Sequence, residues 1–452
     1  MLADADCTLT NAPTSTDGAL ERATSALAVM TTFSKGFAPF QFFGSTLLFF
    51  ISLSLCLYCI VLNAPRNIAR TVSLLQEFIP IGALLTLMTA NYILISDTAV
   101  PVTYLIGIIG FWCVFFCLGV MCADVRTALS VLVFFSAIYL VFVVGFFLDN
   151  GAMYIGDRFG DIFGIDELEL SSGTKTIQLY QNVGYLVSVG AISFGAFANN
   201  FFTQRPLTAT AIAISAALVL DVAVQARGAA IALVCATILM FESPLKQFWI
   251  RLSVICTFVL MVAVTLWARF PHDLGSSGFL SKILDELAQG RSDGRLFLFG
   301  AAIDRIVSDG VTFVIGRGLG MFPIDLGYQA PDWLIAPKAV SMYPHNVVIE
   351  AQYEMGILGT VLILYILLRP LVVFRGIPRD HDTKIIACIY VFYLVSSFFS
   401  GSLAYSYPLI FVLGMFWAKL STPENLVSDP SDLATARRGT QCHTISAIGS
   451  GT

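Results

Sequence analysis

The stretch YPHNVVIEAQYEMG, residues 343–356, sets a histidine, an amide and two carboxylates into an otherwise apolar run. His345 is the group there that can take up a proton near neutral pH, since imidazole titrates closest to neutrality. Such a side chain, held in place, serves as a general base. Tyr343-Pro344 reads as a helix start, which puts His345 in the first turn, where the helix dipole disfavours imidazolium. Asn346, Glu350 and Glu354 follow at intervals of four, so a helix carries them on one face, with Tyr353 between. Glu354 then lies about 13 Å along the axis from His345. The carboxylates can support the histidine's surroundings, or they can pair with arginines to hold helices together while His345 is an interfacial residue.

Three arginines stand at the edges of apolar or amphipathic runs. Arg227 lies in DVAVQARGAAIALV between two apolar runs, where it fits either an interfacial anchor or an anion ligand facing a cavity. Asp221 and Gln225, spaced i and i+4, could orient it. Arg291 and Arg295 open the stretch RSDGRLFLFGAAIDRIVSDG, residues 291–310. Ser292 or Asp293 can cap a helix there. Leu296, Phe299, Ile303 and Ile306 then form one stripe of an amphipathic helix lying on a membrane. The following IGRGLGMFP, residues 315–323, reads as a tight turn with exposed N–H groups, shaping the chain or contacting an anion directly. It lacks the GKS or GKT ending of a nucleotide loop.

The elements that must position these groups are membrane helices. Of the 452 residues, 57% are hydrophobic and 12% charged, against roughly a quarter charged in a soluble protein. The net charge of −5 gives no reason to expect a nucleic-acid partner. The ten cysteines include Cys56, Cys59, Cys113, Cys117, Cys235, Cys256 and Cys388 in apolar runs, which argues against a disulfide framework or a zinc site. No metal or cofactor is expected. MLADADCTLT lacks the basic and apolar regions of a signal peptide.

Apolar runs long enough to cross hydrocarbon lie near 41–63, 72–96, 101–122, 127–149, 176–199, 206–224, 228–243, 248–269, 346–369, 384–400 and 403–419. A weaker segment over 18–38 carries Glu21, Arg22 and Lys35 and would make a twelfth. Arg66, Arg70, Arg126, Arg205, Lys246, Arg251, Arg369, Arg375, Arg379 and Lys384 fall in alternate connections, which are therefore cytoplasmic. The other connections, including the long loop 270–344, face outward. The expected fold is an all-α polytopic membrane protein of 11–12 helices, with an N-terminal segment 1–40, a membrane domain 41–419 and a disordered cytoplasmic tail 420–452.

Taken in order, Arg227-Gly228, Asp293-Gly294-Arg295, Gly316-Arg317-Gly318-Leu319-Gly320-Met321-Phe322 and His345-Asn346-x-x-x-Glu350-x-x-x-Glu354-x-Gly356-x-x-Gly359 resemble the O-antigen ligase and polymerase superfamily over roughly residues 170–400. Members often have Ser or Thr where this chain has Ala226, and Leu where it has Ile349. The resemblance implies an inverting, metal-independent glycosyltransferase of the bacterial inner membrane, facing the periplasm. The donor would be a glycan on undecaprenyl diphosphate, and the acceptor a glycan or lipid A-core. His345 would be the base, Arg227 and Arg295 the diphosphate ligands with Arg291 in reserve, and Asn346, Glu350 and Glu354 the supporting residues. Tyr180, Gln181 and Asn182 could touch sugar. The rival from another class is a lipid-linked glycan flippase, which needs the arginines but no base.

The charge alternation puts Arg227, Arg295 and His345 on one side. Single cysteines at these positions, in a background lacking the ten native ones, should react with an impermeant thiol reagent added outside. Labelling at position 227 only after the inner membrane is permeabilised would reverse the orientation.

Overall fold

The computed structural model describes residues 15–34, 44–150, 179–202, 206–223, 226–240, 294–326, 343–375, 380–404 and 406–421. All regular elements among the described residues are helices. In chain order they begin with α1 (Ser15–Phe33), α2 (Gly44–Leu62), α3 (Ala64–Ser73), α4 (Leu75–Leu94), α5 (Val102–Met121) and α6 (Val125–Asn150). Next come α7 (Leu179–Phe194), α8 (Ala198–Phe201), α9 (Pro206–Ala223) and α10 (Arg227–Met240). The last group is α11 (Gly294–Ser308), α12 (Gly310–Ile315), α13 (Met321–Asp325), α14 (Val347–Arg375), α15 (His381–Ser400) and α16 (Tyr407–Leu420).

Four of these, α4, α5, α14 and α15, are long and apolar enough to cross a membrane. A fifth crossing results if α2 and α3, bent by 89°, count as one. Large apolar side chains stand outward on them, with Val61 70%, Leu94 79% and Val361 58% exposed. That surface suits lipid, and the described residues form an all-α membrane protein. Helices also lie in the other expected runs except 248–269, which is outside the described residues, as are most of the loop 270–344 and the tail from 422.

Small residues bring the helices together, as expected where lipid removes the hydrophobic drive for association. Gly119 of α5 and Gly414 of α16 each face the other helix's backbone, so a Cβ on Gly119 would strike the Phe411 carbonyl. Ala229, Ala232 and Ala236 are buried on α10, which packs along α15. Most of the expected segment over 18–38 lies in α1, buried through Thr24, Ser25, Ala28, Val29, Thr31 and Thr32; residues 35–38 lie outside the described residues. Its polarity is absorbed locally: Thr24, Thr31 and Thr32 donate to the carbonyls of Leu20, Leu27 and Ala28. A hydroxyl bonded back to its own helix no longer forbids an apolar setting.

The two ends of the bundle differ. One gathers ion pairs: Arg70 with Glu21 at 3.7 Å, Arg126 with Asp382 at 3.1 Å, Arg369 with Glu77 at 2.8 Å and Lys419 with Asp380 at 2.8 Å. The other gathers the end of α4, the starts of α10 and α14, and the turn between α15 and α16.

Gly119→Leu should lower the melting temperature in detergent, on the scale of about 1–3 kcal/mol for overpacking. Gly110→Leu on the same helix, where a Cβ would meet nothing within 4 Å, should not. Equal melting of the two variants would contradict the close α5–α16 contact.

Candidate active site

His345 does not lie in the first turn of a helix. The helix begins at Val347, and His345 precedes it with φ 56°, the one non-glycine residue at positive φ among the described residues. The reason is Asn346, which caps α14: its Oδ1 accepts from the N–H groups of Val348 and Ile349 at 3.0 and 3.1 Å. A capping residue is itself non-helical, so the residue before it lies outside the helix. The left-handed conformation costs His345 roughly 1–2 kcal/mol. Such strain persists where the surroundings over-determine it, and it concentrates at functional positions.

Those surroundings are the end of α15. Asn346 Nδ2 donates to the Phe398 carbonyl at 3.1 Å, and the Tyr343 hydroxyl donates to the Ser400 carbonyl at 3.4 Å. The Tyr343 and His345 rings lie 4.3 Å apart between centroids. The start of α10 rests on the same place, since a Cβ on Gly228 would touch Phe399, Ser400 Oγ and the Tyr185 hydroxyl. Arg227 therefore begins its helix beside the terminus that holds the His345 segment. Arg295 is the second residue of α11. The side chains of Arg227, Arg295, Tyr180, Gln181 and Asn182 lie outside the described residues, as do Gln225 and all of Arg291.

Glu350 and Glu354 are both about 1% exposed on one face of α14. Glu350 accepts from Ser402 Oγ at 3.0 Å and Leu403 N–H at 2.9 Å, fastening α14 to the α15–α16 turn. Trp112 Nε1 of α5 donates to the carbonyl of the same Leu403 at 3.0 Å. Glu354 accepts from Gly320 N–H at 3.0 Å. Neither carboxylate meets a basic side chain among the described residues.

The glycine turn is a shaping element. Arg317 N–H donates to the Tyr353 carbonyl at 2.8 Å and Gly318 N–H to the Glu354 carbonyl at 3.1 Å. Those carbonyls are free because α14 breaks at Gly356, which has φ 67°. Gly316 and Gly356 lie at the crossing, where a Cβ on either would strike the other segment's backbone. The close packing at Gly356 is made by this break rather than by a helix surface. Asp221 accepts from Ser188 of α7 at 2.6 Å rather than from its own helix.

The amphipathic helix exists, and its buried stripe keeps Ile306 of the expected one but is otherwise shifted. Leu298, Ala302 and Ile306 pack on Phe322 and Tyr353, whereas Ile303 is 36% exposed. The small Ala302 permits that approach. Arg317 forks onto Asp325 with bonds of 3.0 and 3.2 Å, and the Tyr353 hydroxyl donates to Asp325 at 2.6 Å.

Asp380-His381-Asp382 has carboxylates in a metal-binding spacing, but both enter ion pairs at the far end of the bundle. A cavity of about 390 Å³ lies there as well, lined by Arg22, Arg70, Arg126 and Lys419 among others, away from His345. No three His, Cys, Asp or Glu side chains converge as a metal centre would require among the described residues. Comparison of the chain with protein-family models gave no match, and comparison with curated proteins gave none.

Burial would raise the Asp325 carboxyl, but the Arg317 fork and the Tyr353 hydroxyl outweigh it and hold the group below its usual value. A depressed folded pKa stabilises the protein above the unfolded value and ceases to as pH falls through the folded one. Wild type should therefore melt above Asp325→Asn at pH 7, with the gap closing below roughly pH 4. An undiminished gap in acid would assign the effect to packing.

Proposed function

We propose that this protein transfers a glycan from undecaprenyl diphosphate to a sugar hydroxyl on lipid A-core, in the manner of an O-antigen ligase. The observation that supports this most is the setting of His345. It is a strained histidine beside the α15 terminus on which Arg227's helix also begins. In this reading the chain crosses the bacterial inner membrane eleven or twelve times. The His345 end faces the periplasm with the loop 270–344, and the ion-paired end faces the cytoplasm.

His345 removes the proton from the acceptor hydroxyl. That oxygen bonds to the anomeric carbon from the side opposite the diphosphate. The bond from that carbon to the diphosphate oxygen breaks, its electron pair leaves with undecaprenyl diphosphate, and the configuration inverts. Arg227 and Arg295 hold the departing charge, with Arg291 as the reserve, since guanidinium forks match phosphate geometry. Asn346 fixes the backbone at His345, and Glu350 and Glu354 fix the segments around it. A lipid diphosphate serves as leaving group where nucleotide sugars are absent.

The test is the surface glycan of a deletion strain. A ligase deletion should leave long chains on the lipid carrier and lipid A-core bare. Core bearing one unit would replace the ligase with a polymerase. Unchanged lipopolysaccharide with loss of a secreted polysaccharide would mean an exopolysaccharide polymerase, and an unchanged glycan profile would end the reading. Complementation with His345→Ala should restore the protein to the membrane and leave transfer down about 10²–10⁴-fold, the scale of a lost general base. Arg227→Lys keeps charge but loses the fork, so it should fail nearly as badly as Arg227→Ala. The chemistry uses no metal, so chelator should leave the rate unchanged.

A further inference from the structure

The helix α12 has the sequence GVTFVI. Of its residues, Val311 is 61% exposed, Phe313 45%, Val314 55% and Ile315 47%, while Thr312 is buried. An apolar hexapeptide open on one side is unlike a loop in water. Its position along its neighbours shows what surrounds it. Phe313 takes a bond from Gln352 of α14, and a Cβ on Gly356 would strike the Val314 carbonyl. These residues lie five and nine positions beyond the start of α14, about 8 and 14 Å along it. The Ile315 carbonyl meets Asn91, three residues before the end of α4. Half the hydrocarbon thickness is about 15 Å, so α12 lies beside the membrane-crossing parts of both helices. The exposed faces of those neighbours, Ile93 and Leu94 on α4 and Ile357, Leu358 and Val361 on α14, continue its apolar surface.

Irregular backbone at that depth is tolerated only where its polar groups are met from within the protein. Here the surrounding helices meet them. The carbonyls of Phe313, Ile315 and Leu319 accept from Gln352, Asn91 and Ser96 at 2.7, 3.3 and 3.0 Å. The N–H groups of Gly316, Arg317, Gly318 and Gly320 donate to Thr312, Tyr353 and Glu354. The cation in the turn, Arg317, is neutralised by Asp325. On the approach from α11, Asp304 and Arg305 are exposed, and no charged residue occurs from Gly310 to Gly316.

We propose that Gly310–Gly316 is a re-entrant segment. It dips into one leaflet with Val311, Phe313, Val314 and Ile315 against lipid acyl chains, and the glycine turn returns the chain over the break in α14. This stands independently of glycan transfer. A benzophenone-bearing residue replacing Val314, in the full chain in vesicles of phosphatidylethanolamine and phosphatidylglycerol, should crosslink to lipid on irradiation. The same residue replacing Asp304 should yield far less adduct. Equal adduct at the two positions would overturn the proposal. A spin label at position 314 should likewise collide more with oxygen than with a water-soluble nickel complex, and one at 304 the reverse. Greater access of nickel at 314 would also overturn it.

Discussion

A membrane helix that opens on two buried carboxylates and breaks at a glycine must have each of those polar groups met from inside the protein. At α14 this demand organises the whole end of the bundle that carries His345. Glu350 binds the α15–α16 turn, Glu354 binds the glycine turn, and the carbonyls released at Gly356 take that turn's N–H groups. Removing a partner from such a buried group leaves its desolvation uncompensated, typically about 1–3 kcal/mol and more for a charge. The segments are thus held by polar bonds whose loss is expensive, which is how a residue as strained as His345 can be kept in one conformation.

The opposite end is built on different terms. Its arginines and lysine pair with aspartates and glutamates at the rim, where side chains are partly solvated and single pairs contribute little. Its organisation follows from charge and orientation, whereas the His345 end follows from backbone satisfaction in an apolar setting. Arg70, Arg126 and Arg369, three of the residues that mark the basic connections in the chain, pair at this end.

The same distinction decides how much of the fold and the site was legible. The apolar runs gave the helices, and the interval of four gave Asn346, Glu350 and Glu354 a common face. The partners of the carboxylates were not legible: they are a serine 52 residues away and main-chain N–H groups 53 and 34 residues away, and a backbone donor has no residue type to read. The left-handed His345 was hidden because Pro344 and Asn346 both suit a helix start, and only the cap bonds decide between them. On α11 the expected stripe held at Ile306 but not at Ile303, because Leu298, Ala302 and Ile306 share a face as regularly as their neighbours do, so period alone could not choose. The burial of α1 depends on hydroxyls satisfied within their own helix, which hydropathy counts as polar.

Under the proposed function the His345 end makes a glycosidic bond. The purified protein in lipid nanodiscs, given a polyprenyl diphosphate-linked glycan and a lipid A-core acceptor without nucleotide or ion gradient, tests it directly. Glycan transfer at this end should give a new bond of inverted anomeric configuration, lost in a folded His345→Ala variant. A protein that forms no such bond, yet moves the lipid-linked glycan across a sealed vesicle membrane, would contradict it.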